Sequence, residues 1–282
     1  MDRREIEEMF FKLLMAVSML IVVGSLLAMV TVVVLKGAPA LSISMITQTP
    51  IGGYYLGEEG GILNAIVGSL YLAGGATALA FVLSLPVALY LGEYIRKSKI
   101  AVLTRLSLDI LGGVPSIVYG AFGFTIMLYL GARASLLWGI ITVALLVLPI
   151  MTRAMDEALR AISLELREAS YALGATRLET VLKVISRQAL PGILTAVLLA
   201  FGRGIGDSAS VLFVAGYTDH IPQSLFDPVA TLPLAVFFQI GTPLPKVQQR
   251  AYASAIVLLA MVLSLSVASR LLAKKFMKYV VK

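Results

Sequence analysis

The residues from Leu13 to Leu35 form a charge-free run between Lys12 and Lys36. A helix needs about 20 mostly apolar residues to cross the hydrocarbon core of a bilayer, so this run is long enough to span a membrane. The run is too long for the apolar part of a signal peptide, and the segment before it is as acidic as it is basic. We therefore expect an uncleaved first helix.

Five further apolar runs follow, so the chain is predicted to be an all-α polytopic membrane protein with six transmembrane helices. The fifth run is interrupted by Arg203 and Asp207. Prolines inside three of the runs are expected to bend those helices, because proline removes a backbone donor; they are Pro86, Pro115 and Pro149. The predicted spans are Leu13–Leu35, Asn64–Tyr90, Ile110–Ala132, Ala134–Thr152, Leu190–Ala215 and Ala251–Ser269.

Composition excludes several classes of protein. Hydrophobic residues make up 59% of the chain and charged residues only 14%, which is too little charge to cover a soluble surface. The absence of cysteine excludes disulfides, thiolate metal sites and cysteine nucleophiles, and the one histidine, His220, is expected to be a solvated loop residue. No paired acids, histidine–acid set or serine–lysine dyad lies within the spans. We therefore predict neither catalytic residues nor a metal site.

The distribution of basic residues predicts the orientation. With both termini in the cytoplasm, eighteen Lys and Arg residues fall in cytoplasmic segments and four fall outside: Lys36, Arg133, Lys246 and Arg250. This excess is typical of multi-pass proteins of the cytoplasmic (inner) membrane, so the net charge of +7 indicates orientation in a lipid bilayer and no nucleic-acid partner. We expect one membrane domain over 1–282, with core helices at about 60–273 and an outer loop at 216–250. The apolar piece at 229–240 is too short to span.

The cytoplasmic segment 155–189 is predicted to form a helical hairpin. A helix from Met155 to Leu173 would place Ile162, Leu166, Ala169 and Leu173 near one face. Gly174 then fits a left-handed position after the helix, and Thr176 with Glu179 forms a capping box for a second helix. Periodicity alone is equally compatible with an ordinary connecting hairpin.

The residues of this hairpin carry a resemblance to a known family. Glu168-Ala169-Ser170-Tyr171-Ala172-Leu173-Gly174-Ala175-Thr176, followed by Ile185 and Leu190-Pro191, resembles the EAA signature of ABC importer permeases, with Ser170 in place of the second alanine. The resemblance implies a type I ABC importer permease fold in which the hairpin docks on an ATPase subunit. It implies coupling roles for Glu168, Ala169, Gly174, Thr176 and Glu179.

The charged pair inside the fifth span is the candidate substrate site. An arginine at the centre of a membrane helix costs about 2.5–3.5 kcal/mol on insertion scales, so Arg203 should face a partner or a watery cavity. Asp207 lies four residues on, on the same helix face, and can neutralise it. The pair could simply stabilise the bundle. Alternatively, Arg203 binds an anion in transit, since a guanidinium matches phosphate oxygens in a bidentate fork.

Further segments resemble the PstA-type permease subunits of phosphate ABC importers. These are the stretch from Gly113 to Gly120, the entry to the second span at Gly60 to Ile66, and the run from Arg203 to Asp207. Asp207 stands where that family usually has glutamate, and Ser210 where it usually has proline. Ser116 and Tyr119 are further candidates for the substrate path, because their polar tips flank a proline kink, and either could equally be hydrogen-bonded within the bundle.

The resemblance implies inorganic phosphate as cargo and a set of partners: an ATP-binding cassette ATPase dimer, a second similar permease subunit, and an extracytoplasmic phosphate-binding protein. The sequence has no Gly-x-x-x-x-Gly-Lys-Ser/Thr run, so ATP must be bound by a partner chain and this chain needs no cofactor. Two alternatives remain open, a permease for another oxyanion such as molybdate or sulfate, and an ion-coupled secondary carrier.

Overall fold

The computed structural model describes residues 3–51 and 59–276, and most of them are helical. The helices are α1 (Arg3–Gly37), α2 (Ile43–Thr47), α3 (Leu63–Leu89), α4 (Lys99–Gly112), α5 (Ser116–Tyr129), α6 (Leu136–Arg160), α7 (Leu164–Ala172), α8 (Arg177–Glu179), α9 (Ser186–Ile205), α10 (Leu232–Ile240) and α11 (Pro245–Phe276). A 3₁₀ turn at Ala38–Ala40 and π-helical turns at Tyr90–Tyr94 and Thr180–Ile185 extend some of these helices. Strands β1 (Pro50–Ile51) and β2 (Glu59–Gly60) pair antiparallel.

Within the described residues, five helices are long and apolar enough to cross a membrane, and α4 with α5 can count as a sixth, bent span. The prediction of an all-α polytopic protein is therefore confirmed, and the predicted six spans are reached when α4 and α5 count as one bent span, although two of the spans differ in shape from the prediction. The five single helices are Glu7–Ala40, Leu63–Tyr94, Leu136–Arg160, Arg177–Ile205 and Pro245–Ala268.

The third predicted span, Ile110–Ala132, is bent at Pro115 as expected, but it is not one continuous helix. It is broken at residues 113–115, where α4 and α5 meet at 95°. Pro115 has no amide hydrogen for the Leu111 carbonyl, and the Tyr119 hydroxyl donates to that carbonyl at 2.9 Å instead. The Val114 amide also donates to the Leu111 carbonyl, at 3.1 Å, so a backbone donor and a side-chain donor together stabilise the break.

The fifth predicted span, Leu190–Ala215, ends much earlier than expected. α9 stops at Ile205, and turns follow as far as α10. Glycines at alternate positions from 202 to 206 weaken the helix, and the Asp207 carboxylate accepts a hydrogen bond from the Ser210 amide at 2.8 Å. A short side chain that bonds its own backbone competes with the helix and explains the early end.

α3 and α6 form the centre of the bundle, and α9 packs against both. A Cβ added at Gly75 would lie 2.5 Å from Cδ1 of Ile140, so this glycine allows close approach. Further along both helices, the Ser84 hydroxyl donates to the Leu148 carbonyl at 3.3 Å. Because the paired positions advance in the same direction, α3 and α6 run parallel.

The bundle has two distinct ends. Glu93, just beyond α3, contacts α7, and we call this the α7 end. At the other end, Arg250 near the start of α11 donates to the carbonyls of Gly60 and Gly61 at 3.0 and 3.2 Å, just before α3. α10 lies near that end, which we call the α10 end, since the Ser69 hydroxyl accepts from the Leu232 amide at 2.8 Å. α3 and α11 therefore both run from the α10 end to the α7 end.

The predicted outer loop, 216–250, is more ordered than a polar loop would be. The apolar piece expected at 229–240 forms α10, most of which is buried, and α11 already begins at Pro245. The Leu136 and Leu137 amides at the start of α6 donate to the Asp227 and Leu225 carbonyls, each at 2.8 Å. This loop therefore satisfies backbone donors that the first turn of α6 cannot pair internally.

α1 lies at the periphery. In its most apolar stretch 0% of the residues are buried, and it contacts α11 near its end, where Lys36 sits 5.2 Å over the ring of Tyr252. Gly37 permits this contact, because an added Cβ would lie 2.6 Å from the Tyr252 carbonyl carbon. Lys278 and Lys282, which were counted in the charge asymmetry, lie outside the described residues.

Candidate coupling segment and ion-pair site

The first arm of the predicted hairpin is two helices, so the predicted single helix from Met155 to Leu173 was wrong. α6 continues to Arg160 and α7 begins only at Leu164. The Arg167 guanidinium donates to the carbonyls of Leu159, Ile162 and Ser163 at 3.0, 2.6 and 2.9 Å. These bonds satisfy one carbonyl in the last turn of α6 and two in the connection to α7, and they favour the break.

The turn of the hairpin agrees with the prediction. Gly174 has φ of +84°, a left-handed conformation that disfavours residues with a Cβ. The capping box is complete, since the Thr176 hydroxyl accepts from the Glu179 amide at 3.3 Å and the Glu179 carboxylate accepts from the Thr176 amide at 3.1 Å. These bonds from the Thr176 amide and hydroxyl, with a smaller contribution from Lys183, lower the pKa of Glu179 to about 2.

The two arms are joined by a buried hydroxyl pair. Ser170 on α7 and Thr180 just after α8 share a hydrogen bond of 2.9 Å, and both side chains are buried. This contact gives a physical reason for serine where the EAA signature has its second alanine. It also shows that α9, which continues from Thr180, begins at the α7 end and runs opposite to α3 and α11.

A buried ion pair between α7 and the end of α3 was not predicted from the sequence. Arg167 of α7 contacts both carboxylate oxygens of Glu93, with Nη2 at 2.6 Å and Nε at 3.1 and 3.2 Å. The side chains are only 6% and 4% exposed. The sequence carries one weak signal, because Glu93 is the first charged residue after a long uncharged run. Nothing in the sequence links it to a partner 74 residues later.

A second arginine of the hairpin, Arg177, also contacts the π-helical turn at the end of α3. Arg177 lies 4.6 Å over the ring of Tyr94 and donates to the carbonyls of Glu93 and Tyr94, the latter at 3.3 Å. Both arms of the hairpin are therefore attached to the π-helical turn at the end of α3. A displacement of the hairpin must pull on that turn.

A charged cluster attaches α4 to α6 near the same end. Arg105 binds both carboxylate oxygens of Asp156 at 2.7 and 3.0 Å and also donates to the Leu91 carbonyl at 3.1 Å. Asp156 is fully buried. Arg153 adds contacts to Asp109 at 2.6 Å and to Asp156 at 3.3 Å. This cluster fixes α4 at the angle that the break before α5 requires.

The predicted pair at the end of α9 is present in the structure. Nη1 of Arg203 lies 3.5 Å from Oδ1 of Asp207. The two side chains differ in exposure, at 46% for Arg203 and 4% for Asp207. The buried carboxylate is held from behind by the Ser210 amide, so Arg203 is the exposed and movable partner.

Arg203 opens into a groove between α9 and α11. The cavity there has a volume of about 530 Å³. Its lining residues are Thr195, Leu198, Leu199, Gly202, Arg203, Val262, Leu265, Ser266 and Arg270.

Comparison with known proteins places these features in a family. A family model described as "Binding-protein-dependent transport system inner membrane component" matches residues 84–278. The chain belongs to this family.

Relatives and solved structures agree with that assignment. The permease is 35% identical over 237 residues to the phosphate transport system permease protein PstA of Haemophilus influenzae, covering 84% of this chain and 83% of that protein. It is 34% identical over 242 residues to PstA of Yersinia pestis, with 86% and 81% covered. An inward-facing structure of the MetNI methionine ABC transporter has a TM-score of 0.63 at 22% identity, covering 76% of this chain and 95% of that one. The last likeness concerns the fold alone, and it confirms the predicted importer-permease fold.

The other predicted site residues of the permease fall in different surroundings. The Tyr119 hydroxyl is occupied by the Leu111 carbonyl, and Ser116 opens α5. Gly120, one residue beyond Tyr119, packs against the turn after α9, where an added Cβ would lie 2.9 Å from the Ser210 carbonyl oxygen. α5 therefore borders the ion-pair turn, while the Tyr119 hydroxyl serves the helix break.

Two smaller predictions concern His220 and the face of α7. His220 is 87% exposed beside Asp219, as expected of a loop residue. In the described ranges, no group of three His, Cys, Asp or Glu side chains could hold a metal ion. The predicted apolar face of α7 is not buried, because the helix buries Arg167 and Ser170 and leaves Leu173 89% exposed. The buried ion pair decides which face of α7 turns inward.

Proposed function

We propose that this permease is the membrane-spanning subunit of an ATP-driven importer of inorganic phosphate. The observation that carries the proposal is Arg203, a guanidinium at a membrane helix end with one carboxylate contact of 3.5 Å and a side chain 46% exposed to a cavity. An arginine has five N–H donors, and an ion pair of this length leaves most of them available. The named PstA relatives, which are phosphate permeases, support the same cargo.

Arg203 and Asp207 have complementary roles in this proposal. Arg203 binds phosphate oxygens by paired charge-assisted hydrogen bonds, and Asp207 holds the guanidinium when the path is empty. Because the Ser210 amide fixes the carboxylate at 2.8 Å, the arginine moves and the acid stays.

The buried acid also favours phosphate over other oxyanions. Monohydrogen phosphate carries a proton that can be donated to a carboxylate, whereas sulfate and molybdate are unprotonated near neutral pH and would meet Asp207 as a like charge. An unpaired or repelled oxygen in a desolvated site costs affinity and gives discrimination. The molybdate or sulfate alternative is thus less compatible with a buried Asp207 beside the binding arginine.

Coupling to ATP hydrolysis takes place through the hairpin. Glu168, Ala169 and Leu173 form an exposed surface on and after α7 for docking on an ATP-binding cassette ATPase dimer. Hydrolysis belongs to that partner, so this chain is not an enzyme and binds no cofactor of its own. Arg167 and Arg177 transmit the displacement to α3 through the Glu93 turn.

The remaining partners and the orientation follow from the same scheme. The α7 end faces the cytoplasm with both termini, and the α10 end faces an extracytoplasmic phosphate-binding protein. A second, similar permease subunit completes the path, since the groove beside Arg203 is open on this chain alone. The basic residues counted in the sequence support this orientation.

The test is uptake of labelled phosphate into proteoliposomes that contain the permeases, the ATPase and the binding protein. We expect ATP-dependent uptake that falls by about tenfold or more in Arg203→Gln, the loss of one charge-assisted contact. Arg133→Gln, which removes an exposed arginine between α5 and α6, away from the hairpin and the groove, is the control and should transport normally.

Three outcomes would contradict the proposal. Normal uptake by Arg203→Gln would remove the binding role of Arg203. Stronger competition by molybdate or sulfate than by phosphate would change the cargo. Undiminished uptake without the ATPase would make the chain a secondary carrier.

A further inference from the structure

The groove between α9 and α11 carries an arginine at each end. Arg203 lines the end nearer α10, and Arg270 lines the other. α9 and α11 run antiparallel, and on α11 the lining residues extend from Val262 to Arg270. At 1.5 Å per residue the two ends of this lining are about 12 Å apart along the helix. An anion leaving Arg203 toward the α7 end therefore meets Arg270 next.

The walls of this groove contain no carboxylate. Neither the α9 sequence nor the α11 sequence includes an Asp or a Glu, and the chain after Asp227 has none at all. In the part of the chain that the structure describes, Arg270 has neither a hydrogen bond nor an ion pair. Arg203 has an acid only because Asp207 follows α9. The groove thus becomes more electropositive from Arg203 toward Arg270.

The groove favours a small hydrated anion over a lipid tail. Its middle is apolar, with Leu198, Leu199 and Leu265, which would suit an acyl chain. However, a tail that filled the groove would press against Arg203, whose guanidinium is half exposed there and would lose its remaining hydration. A charged group in that position requires water, a partner or an anion.

We propose that Arg270 is a second contact for the phosphate oxyanion, placed about one groove length beyond Arg203 on the α7 side. The inference rests on the proposed phosphate-import function and extends it to the exit half of the path. Phosphate passes from the Arg203–Asp207 pair to an arginine that has no competing carboxylate. Ser266, one turn before Arg270 on the same wall, lies beside this position and can donate its hydroxyl.

The test is the initial rate of ATP-driven phosphate uptake by the complete reconstituted importer at saturating phosphate-loaded binding protein. Arg270→Gln should lower the maximal rate by about tenfold, and Arg270→Lys, which keeps the charge but not the fork, should lower it by about threefold. Arg133→Gln removes the same charge from an exposed position between α5 and α6 without lining the groove, and it should leave the rate unchanged. Measurements in vesicles with and without anionic phospholipid separate free phosphate from a lipid headgroup.

Each outcome decides one question. An equal loss for Arg270→Gln in both lipid compositions supports the second contact. A normal rate for Arg270→Gln overturns it and leaves the proposed function intact, provided that Arg203→Gln is defective in the same preparation. A loss seen only with anionic lipid overturns it in favour of a headgroup site. If the unsubstituted importer moves no phosphate, the proposed function itself fails.

Discussion

Two of the arginine–carboxylate pairs of this chain, Arg167–Glu93 and Arg203–Asp207, are built for opposite purposes. Arg167 contacts both carboxylate oxygens of Glu93 and also donates to three carbonyls between the last turn of α6 and the start of α7, and both side chains are almost fully buried. Arg203 makes one ion-pair contact of 3.5 Å and remains 46% exposed. The Arg167–Glu93 pair, in which every N–H donor of the arginine is used, is a rigid joint. The Arg203–Asp207 pair leaves most donors of the arginine available for a ligand.

The largest effect is expected when the joint is broken. Arg167→Ala leaves the Glu93 carboxylate buried without its cation and should lower the free energy of unfolding by about 3–5 kcal/mol. SDS titration in mixed micelles measures this loss. Lys183→Ala, which removes an exposed pair with Glu179, is the control and should change stability by less than about 0.5 kcal/mol. An equally small effect of Arg167→Ala would mean that the pair is not a joint.

For the Arg203–Asp207 pair, we expect a small effect on stability and a large effect on transport. Arg203→Gln should leave the free energy of unfolding within about 1 kcal/mol of the unsubstituted protein, because the lost contact is a long one of 3.5 Å to a half-exposed arginine, and the buried Asp207 carboxylate keeps its hydrogen bond from the Ser210 amide. Phosphate uptake should fall by about tenfold or more in the same preparation. A large stability loss without a transport defect at permissive temperature would make this pair structural, like the first.

Alanine substitutions at two glycines, Gly174 in the turn of the coupling hairpin and Gly202 in α9, are expected to change stability in opposite directions. Gly174→Ala should destabilise by about 1 kcal/mol, because φ is +84° although no neighbouring atom crowds the position. Gly202→Ala should stabilise α9 by a similar amount, because that glycine is helical and equally uncrowded. Thermal unfolding of the two variants measures both signs, and a loss of stability in Gly202→Ala would contradict the account of the weakened helix end.

The smallest effect concerns the pH dependence of the capping box. The pKa of Glu179 is lowered from 4.5 to about 2, so its stabilising contribution is fully present above pH 4.5 and is lost as the pH falls toward 2. The natural protein should therefore have a higher thermal midpoint than Glu179→Gln above pH 4.5, and the difference between the two midpoints should decrease as the pH falls from 4.5 toward 2. Lys97→Gln serves as a control for general charge effects, and the difference between its thermal midpoint and that of the natural protein should not change in this way. A constant difference between pH 6 and pH 3 would contradict the assignment.

The features that could be predicted are those that depend on neighbours in the sequence. The left-handed Gly174, the capping box from Thr176 to Glu179, and the approach of Arg203 to Asp207 all involve residues within four positions of one another. Backbone geometry alone decides such contacts.

The features that could not be predicted depend on contacts between distant residues. Glu93 pairs with Arg167 across 74 positions and Arg105 with Asp156 across 51, and neither pairing leaves a periodic signal. The same contacts explain the helix ends that were placed wrongly, since Arg167 binds the carbonyls that a continuous helix would have used.

The packing of α3 against α6 also constrains how the protein is made. Gly75 meets Ile140 and Ser84 meets Leu148, so each contact joins residues about two spans apart in synthesis. α3 must therefore enter the bilayer and remain there without its partner until α6 has been synthesised. Its apolar surface allows it to stay in contact with lipid during that time. α9, with its costly arginine, emerges only after this pair is complete. α9, the span that is least stable in lipid alone, is thus inserted when α3 and α6 already provide a protein surface for it to pack against.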